Sequence, residues 1–214
     1  MLMVERGGLD ALSMHKLAEA VDYTPGALYR YFGSKDALLA GLVERILDDV
    51  RAHLGRAVAL LPARVSPLAR VFVLAAAYRD FARREPQRFG LLAMTMAEPR
   101  ILLNEPATVD PVAAGVMSAL APMAEALLAA TSAKQLAPGD VADRTICLFS
   151  LLQGVLQLHK QARYAPAFLD LDRLAHSGTR ALLLGWGAKP KAVDLALAHV
   201  TDLGDLAALL GASS

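Results

Sequence analysis

Between Ser13 and Lys35 the chain places cations where helix starts ordinarily carry acids. His15 and Lys16 follow Ser13, and Lys35 follows Ser34, each serine standing where a helix N-cap is expected. The helix macrodipole disfavours positive charge in a first turn. A bound phosphate would reverse that preference, because the free N–H groups and the neighbouring cation then act on one anion. Singly, each lysine reads as a solvated surface cation. Together with the elements around them, they favour phosphate binding.

Those elements follow from periodicity. Met14, Leu17, Ala18 and Val21 fall at i, i+3, i+4, i+7 after Ser13 and form one apolar stripe. The pattern breaks at Asp22-Tyr23 and restarts with Thr24 as cap and Pro25 at the first helical position, where its missing N–H costs nothing. In this second helix Leu28 and Phe32 share the inner face. Pro25, Gly26, Ala27, Tyr29 and Arg30 lie mostly outward, with Tyr31 at an edge, and Gly33-Ser34 ends the helix and caps the next. Two short helices about a tight turn make a helix-turn-helix, whose second helix enters the major groove of DNA.

The run from Gly7 to Leu47 resembles the DNA-binding domain of the tetracycline-repressor (TetR) family of transcriptional regulators. The matching residues are Glu5 to Gly7, Ser13, Leu17-Ala18, Ala20, Thr24, Leu28-Tyr29, Tyr31-Phe32, Ser34-Lys35-Asp36 and Leu38. The L-Y-x-Y-F run followed by S-K-D-x-L at fixed spacing is its specific part. The resemblance implies that Ser13, Thr24, Tyr29, Tyr31 and Lys35 hold phosphates, and that His15, Pro25, Gly26, Ala27 and Arg30 face base edges. Of these, Arg30 alone has the forked donors suited to guanine O6 and N7.

Two features depart from the family pattern. Asp22 stands at the turn position where glycine is usual; aspartate tolerates left-handed backbone better than most residues. The family's first helix spans several turns before the E-R-G, and here only Met1 to Arg6 precede it: either the reading frame begins upstream, with Met1 or Met3 internal, which is the expectation, or this is a shortened form whose helix-turn-helix is less well supported. Charge counts against DNA binding: Met1 to Gly55 holds six Lys/Arg against eight Asp/Glu, a balance of −2 without a basic footprint.

The whole chain is 55% hydrophobic, mostly Ala and Leu, with few aromatics, which favours an all-α fold with a sizeable core. A net charge of +1 indicates no partner. One cysteine excludes an internal disulfide framework and a cysteine-based zinc site, and fits a cytoplasmic protein. No signal peptide is visible, because charge and glycine follow Met1-Leu2-Met3 at once. The uncharged stretches Pro111 to Ala124 and Thr145 to His159 fall short of the roughly 20 residues of a membrane span and are expected as buried helices.

The expected organisation is a helix-turn-helix domain over residues 1–54 and an effector-binding and dimerisation domain over 55–214. The helix from Ser34 continues with Leu39, Val43, Ile46, Val50 and Leu54 inward, long enough to join the two. Further helices run from Ser66 to Arg84, from Pro86 onward, from Pro111 to about Thr131 with a kink at Pro122, from Asp140 to about Arg163, from Asp170 to Trp186, and from Lys191 to Leu210. Pro99 to Asp110 reads as an irregular connection.

An effector pocket among the helices from Ser66 to Lys160 would draw on Phe72, Tyr78, Phe89, Met94, Met96, Met117, Phe149 and Gln153. Each taken singly is better read as core. Ser150, Gln153 and Gln157 form a polar stripe that lines either a pocket or a subunit contact. The helix around Gly154 is apolar nearly all round, and the next presents small residues suited to close crossing. Together they look like the four-helix dimer interface of TetR-like proteins, through Leu151, Gly154, Leu158, Gly178, Ala181, Leu182 and Gly185; an intrachain bundle would use the same faces.

Nothing supports catalysis. Cys147 has no neighbour in sequence to lower its pKa and reads as an inert core thiol, and no metal-ligand cluster, phosphate loop or cofactor motif is present. The reading is a ligand-responsive, homodimeric TetR-like regulator, usually a repressor, on a palindromic DNA operator, with a small apolar effector, no cofactor and no membrane partner. The alternative is a helical ligand-binding or interaction protein that has lost sequence-specific DNA binding.

Overall fold

A computed structural model describes Gly26 and residues 34–97, 106–165 and 168–202. Among them are eight helices and no strand: α1 (Lys35–Ala59), α2 (Pro67–Arg84), α3 (Pro86–Ala97), α4 (Pro106–Ser132), α5 (Val141–Gln157), α6 (His159–Tyr164), α7 (Leu171–Gly185) and α8 (Pro190–Asp202). The chain forms two compact units, Met1–Asp49 with Arg84–Ala119, and Val50–Arg83 with Leu120–Ser214.

The caps are made by the residue types that favour them. Ser34 Oγ accepts the Ala37 N–H at 3.0 Å, and Ser66 Oγ accepts the Ala69 N–H at 3.1 Å. Asp140 and Asp170 accept the N–H groups of Asp143 and Arg173 at 2.9 and 3.0 Å. Pro67, Pro86 and Pro190 each stand at a first helical position.

In the first unit, Val43, Ile46 and Leu47 of α1 and Leu91 and Leu92 of α3 are buried. Leu47 lies so close to Gly115 that a Cβ there would meet its Cδ1 at 3.2 Å. Arg88 bridges to Asp49 at 2.9 Å and Glu85 at 3.4 Å on the surface, where such pairs contribute little.

The second unit is built on α2, which buries residues on almost every side from Leu68 to Ala82, the charged Arg79 and Asp80 included. Leu148, Leu152 and Val155 of α5 and Ala175 and Leu183 of α7 complete that core. The connection between α4 and α5 is held by Arg144, which donates to the carbonyls of Ala137 at 2.9 Å and Pro138 at 3.4 Å and lies 5.5 Å from the Trp186 ring centre. At the end of α7, Gly187 takes a φ of +91°, and Ala188 N–H returns to the Leu183 carbonyl.

Four expectations are corrected. Residues 106–110, expected as irregular, are helical, and α4 starts at Pro106 rather than Pro111, since a proline can open the helix there. The helix from Asp140 stops at Gln157 rather than near Arg163. Leu158 N–H turns to the Val155 carbonyl at 3.1 Å, and His159 Nδ1 lies 3.1 Å from the Leu156 carbonyl, the acceptor a continuing helix would have used. Cys147 is exposed rather than in the core.

Nor are the two uncharged stretches buried throughout: Ala113, Ala114 and Met117 of α4 and Ile146 and Ser150 of α5 are exposed. Among the described residues, one helical stretch, Val109–Ser132, is long and apolar enough to cross a membrane, with a mean hydropathy of 1.7 and 28% of its 18-residue apolar window buried. Core helices of soluble proteins meet the same criterion.

Candidate effector site and subunit face

Ser13, His15, Thr24, Pro25, Ala27, Tyr29, Arg30 and Tyr31 lie outside the described residues, as does Asp22. Gly26 is helical and exposed, and a Cβ added to it would meet nothing within 4 Å among the described residues. Lys35 is the first residue of α1, directly after the Ser34 cap.

The effector candidates divide between the units. In the second, Phe72, Tyr78 and Gln153 are buried and Phe149 is half-buried. Tyr78 donates its hydroxyl to Gln153 Oε1 at 2.7 Å, and the Tyr78 and Phe149 rings meet edge to face with centroids 5.8 Å apart. Burial pushes the Tyr78 phenol well above its ordinary range, which keeps it a donor. The other end of the amide, Gln153 Nε2, is buried without a hydrogen-bond partner. In the first unit, Phe89 is buried and Met94 half-buried, whereas Met96 and Met117 are 39% and 47% exposed.

The polar stripe on α5 separates: Gln153 turns inward to Tyr78, while Ser150 and Gln157 face outward. Ile146, Cys147 and Gly154 share that outer face, and Ser177, Ala181 and Gly185 are exposed on α7. Gly154 and Gly185 have nothing within 4 Å of an added Cβ. Leu151, Leu158, Gly178 and Leu182 are half-buried. Leu151 and Gly178 pack on each other within one chain, since a Cβ at Gly178 would lie 2.7 Å from both Leu151 methyls. The face expected for dimerisation is therefore partly an intrachain crossing and partly open.

A charged cluster on α2 and α7 escaped the sequence reading. Arg79 Nε donates to Asp172 Oδ1 at 3.1 Å, and Arg83 Nη2 donates to both oxygens of Asp172 at 2.6 and 2.5 Å. Arg79 Nη2 lies 3.2 Å from His176 Nε2. Burial lowers the Arg79 pKa against the opposing pull of Asp172, and burial together with the Arg79 charge lowers that of His176. The available signal was two matching i, i+4 pairs, arginine with arginine on α2 and aspartate with histidine on α7. Nearby, His53 Nε2 of α1 stands 3.2 Å from Asp80 Oδ2, both buried, with the His53 ring edge-on to Phe81.

A groove of about 480 Å³ runs past Asp172, Arg173, His176 and Arg180, but it is open and Arg180 is paired with Asp194 at 2.9 Å. No group of metal-binding side chains occurs among the described residues.

Two family models match the chain. Residues 2–42 match "Bacterial regulatory proteins, tetR family", and residues 71–182, just over half the chain, match "Tetracyclin repressor-like, C-terminal domain". Among curated proteins no sequence matches. Among solved structures, the fold is similar to that of a protein of unknown function from Rhodococcus sp. RHA1, at 23% identity and TM-score 0.65, covering 87% of this chain and 90% of that one. It is similar to PfmR, a TetR family transcriptional regulator from Thermus thermophilus, at 17% identity and TM-score 0.61, covering 84% and 92%. It is also similar to SmeT, the repressor of the Stenotrophomonas maltophilia multidrug efflux pump SmeDEF, at 24% identity and TM-score 0.59, covering 88% and 86%.

Proposed function

Because the chain belongs to the TetR family of bacterial regulatory proteins, with a helix-turn-helix DNA-binding domain and a helical C-terminal domain, we propose that it is a homodimeric, ligand-responsive repressor. Two recognition helices, one from each subunit, enter successive major grooves of a palindromic operator, roughly 34 Å apart. Ser13, Thr24, Tyr29, Tyr31 and Lys35 hold phosphates, and Arg30 reads a base within the face formed with His15, Pro25, Gly26 and Ala27.

The observation that carries this reading is the family match over residues 2–42, which covers the L-Y-x-Y-F run and most of the segment after it. The repressor role is favoured by what SmeT does in its own host. Dimerisation is supported by the open, small-residue face on α5 and α7.

A small, mostly apolar effector binds at the cluster of Phe72, Tyr78, Phe149 and Gln153. It shifts the protein, by its differential affinity for two states, away from the groove spacing of the operator. Residues 35–49 of α1 belong to one unit and residues 50–59 to the other. The division into a DNA-binding part over residues 1–54 and an effector and dimer part over 55–214 is part of the same proposal.

The acidic balance of residues 1–55 favours one other reading, a helical ligand-binding protein without sequence-specific DNA binding. Selection on randomised duplexes across a salt series separates them. A repressor recovers a palindrome, and Arg30→Ala then relaxes the preference at one position per half-site and costs about 1–3 kcal/mol. Recovery of no sequence, or an Arg30→Ala variant with wild-type selectivity, refutes the assignment.

A further inference from the structure

Gln153 is a buried amide with one end satisfied. On α5 it is surrounded in sequence by the buried Leu148, Leu152, Val155 and Leu156, and is itself 6% exposed. Its Oε1 accepts from the Tyr78 hydroxyl, while Nε2 has no partner. Buried polar groups are paired in the great majority of cases, and a leucine or methionine would fill such a position without an orphan donor. A residue held there at a cost to stability points to use in another state of the protein.

Which group is left over follows from Tyr78. Its phenol donates to the amide oxygen, and what remains is the NH₂, with two protons to give and no capacity to accept. The next residue in sequence, Arg79, directs Nε to Asp172 and Nη2 to His176, while its Nη1 is buried without a hydrogen-bond partner. The group offered at Gln153 is a neutral donor, and a carboxylate held by it alone would be desolvated at a larger penalty than the orphan amide itself. The Tyr78 and Phe149 rings, set edge to face, supply apolar surface beside the amide.

We infer that the effector is an uncharged, largely apolar molecule carrying a hydrogen-bond acceptor, such as a ketone, ester or ether oxygen, that takes the Nε2 protons of Gln153. This rests on the effector reading of this cluster given above. It adds the polar group that the ligand must present and the atom that receives it.

Alkyl phenyl ketones, each paired with the alkylbenzene of equal chain length, test it on the full chain by calorimetric titration. The ketones are expected to bind about tenfold more tightly than their hydrocarbon partners, the worth of one added hydrogen bond in a buried site. In Gln153→Met, which keeps the length of the side chain and removes its donors, the difference disappears. Gln153→Leu, which also lacks any donor, loses the difference as well and guards against a packing defect peculiar to the methionine variant. Equal binding of both members by the wild type, or a ketone advantage that survives in both variants, overturns the inference and leaves the effector site standing. Binding of neither member removes the effector site at this cluster and the inference with it.

Discussion

At His176 two effects act in the same direction. Burial disfavours the imidazolium, and the Arg79 guanidinium, 3.2 Å away, repels it; Asp172 and Asp170 pull the other way and do not offset them. The folded-state pKa thus lies below the value of about 6.5 for a free histidine. A group with a depressed folded pKa contributes stability above its unfolded pKa, and that contribution is lost as the pH falls toward the folded value. Asp172 has the same sign. Burial raises its pKa, but the hydrogen bond and charge of Arg83, with those of Arg79, leave it below its usual range. Its contribution is lost only below about pH 4, where an unfolded aspartate takes up its proton. Thermal unfolding followed from pH 7.5 down to pH 3 should therefore fall in two stages, the first beginning near pH 6.5. His176→Gln should flatten the first stage and leave the second. A first stage of unchanged slope in that variant would assign it to another group.

The helices show which levels of structure the sequence exposes. Caps and proline starts were legible because one residue type serves one local need, and Ser34, Ser66, Asp140 and Asp170 each accept an N–H in the first turn. The outer face of α5 was not, because a helix apolar on several sides gives periodicity nothing to choose between. Cys147, Gly154 and Ile146 were as good a core as Leu148 and Leu152 until α7 occupied one side. The end of α5 was missed for a related reason, since Leu158 and His159 redirect hydrogen bonds through geometry that propensity does not encode. In the site, Tyr78, Phe149 and Gln153 were legible singly, but their pairing depends on how α2 meets α5. Two glycines test this level of organisation. Gly178→Ala improves helix propensity by up to about 1 kcal/mol, yet its Cβ would lie 2.7 Å from both Leu151 methyls. We expect a net loss of about 1–2 kcal/mol in denaturant unfolding. Leu151→Ala in the same chain should remove most of the penalty specific to Gly178→Ala, because the two changes share one contact.

For the molecule as a whole, the question is what the open face does. Among the described residues nothing lies within 4 Å of a Cβ added at Gly154 of α5 or Gly185 of α7, and Ala181 of α7 is exposed. A helix gives up about 1 kcal/mol for glycine in place of alanine, and at Gly154 no contact among the described residues offsets that cost. Close approach of a second copy would offset it, and a twofold interface presents the same patch on both sides, so that a charge placed near its centre meets its own copy. Ala181→Glu is the discriminating change. Being exposed, it should alter the unfolding of the isolated chain by no more than about 0.5 kcal/mol. In sedimentation equilibrium it should convert dimers to monomers. The consequence for DNA follows from linkage: a monomer holds one half-site, so affinity for a full palindrome should fall by at least about tenfold while affinity for an isolated half-site stays at the wild-type value. If Ala181→Glu remains dimeric at wild-type concentrations, the face on α5 and α7 is not the subunit contact. The exposed Leu128 of α4 is then the next position at which to place the charge.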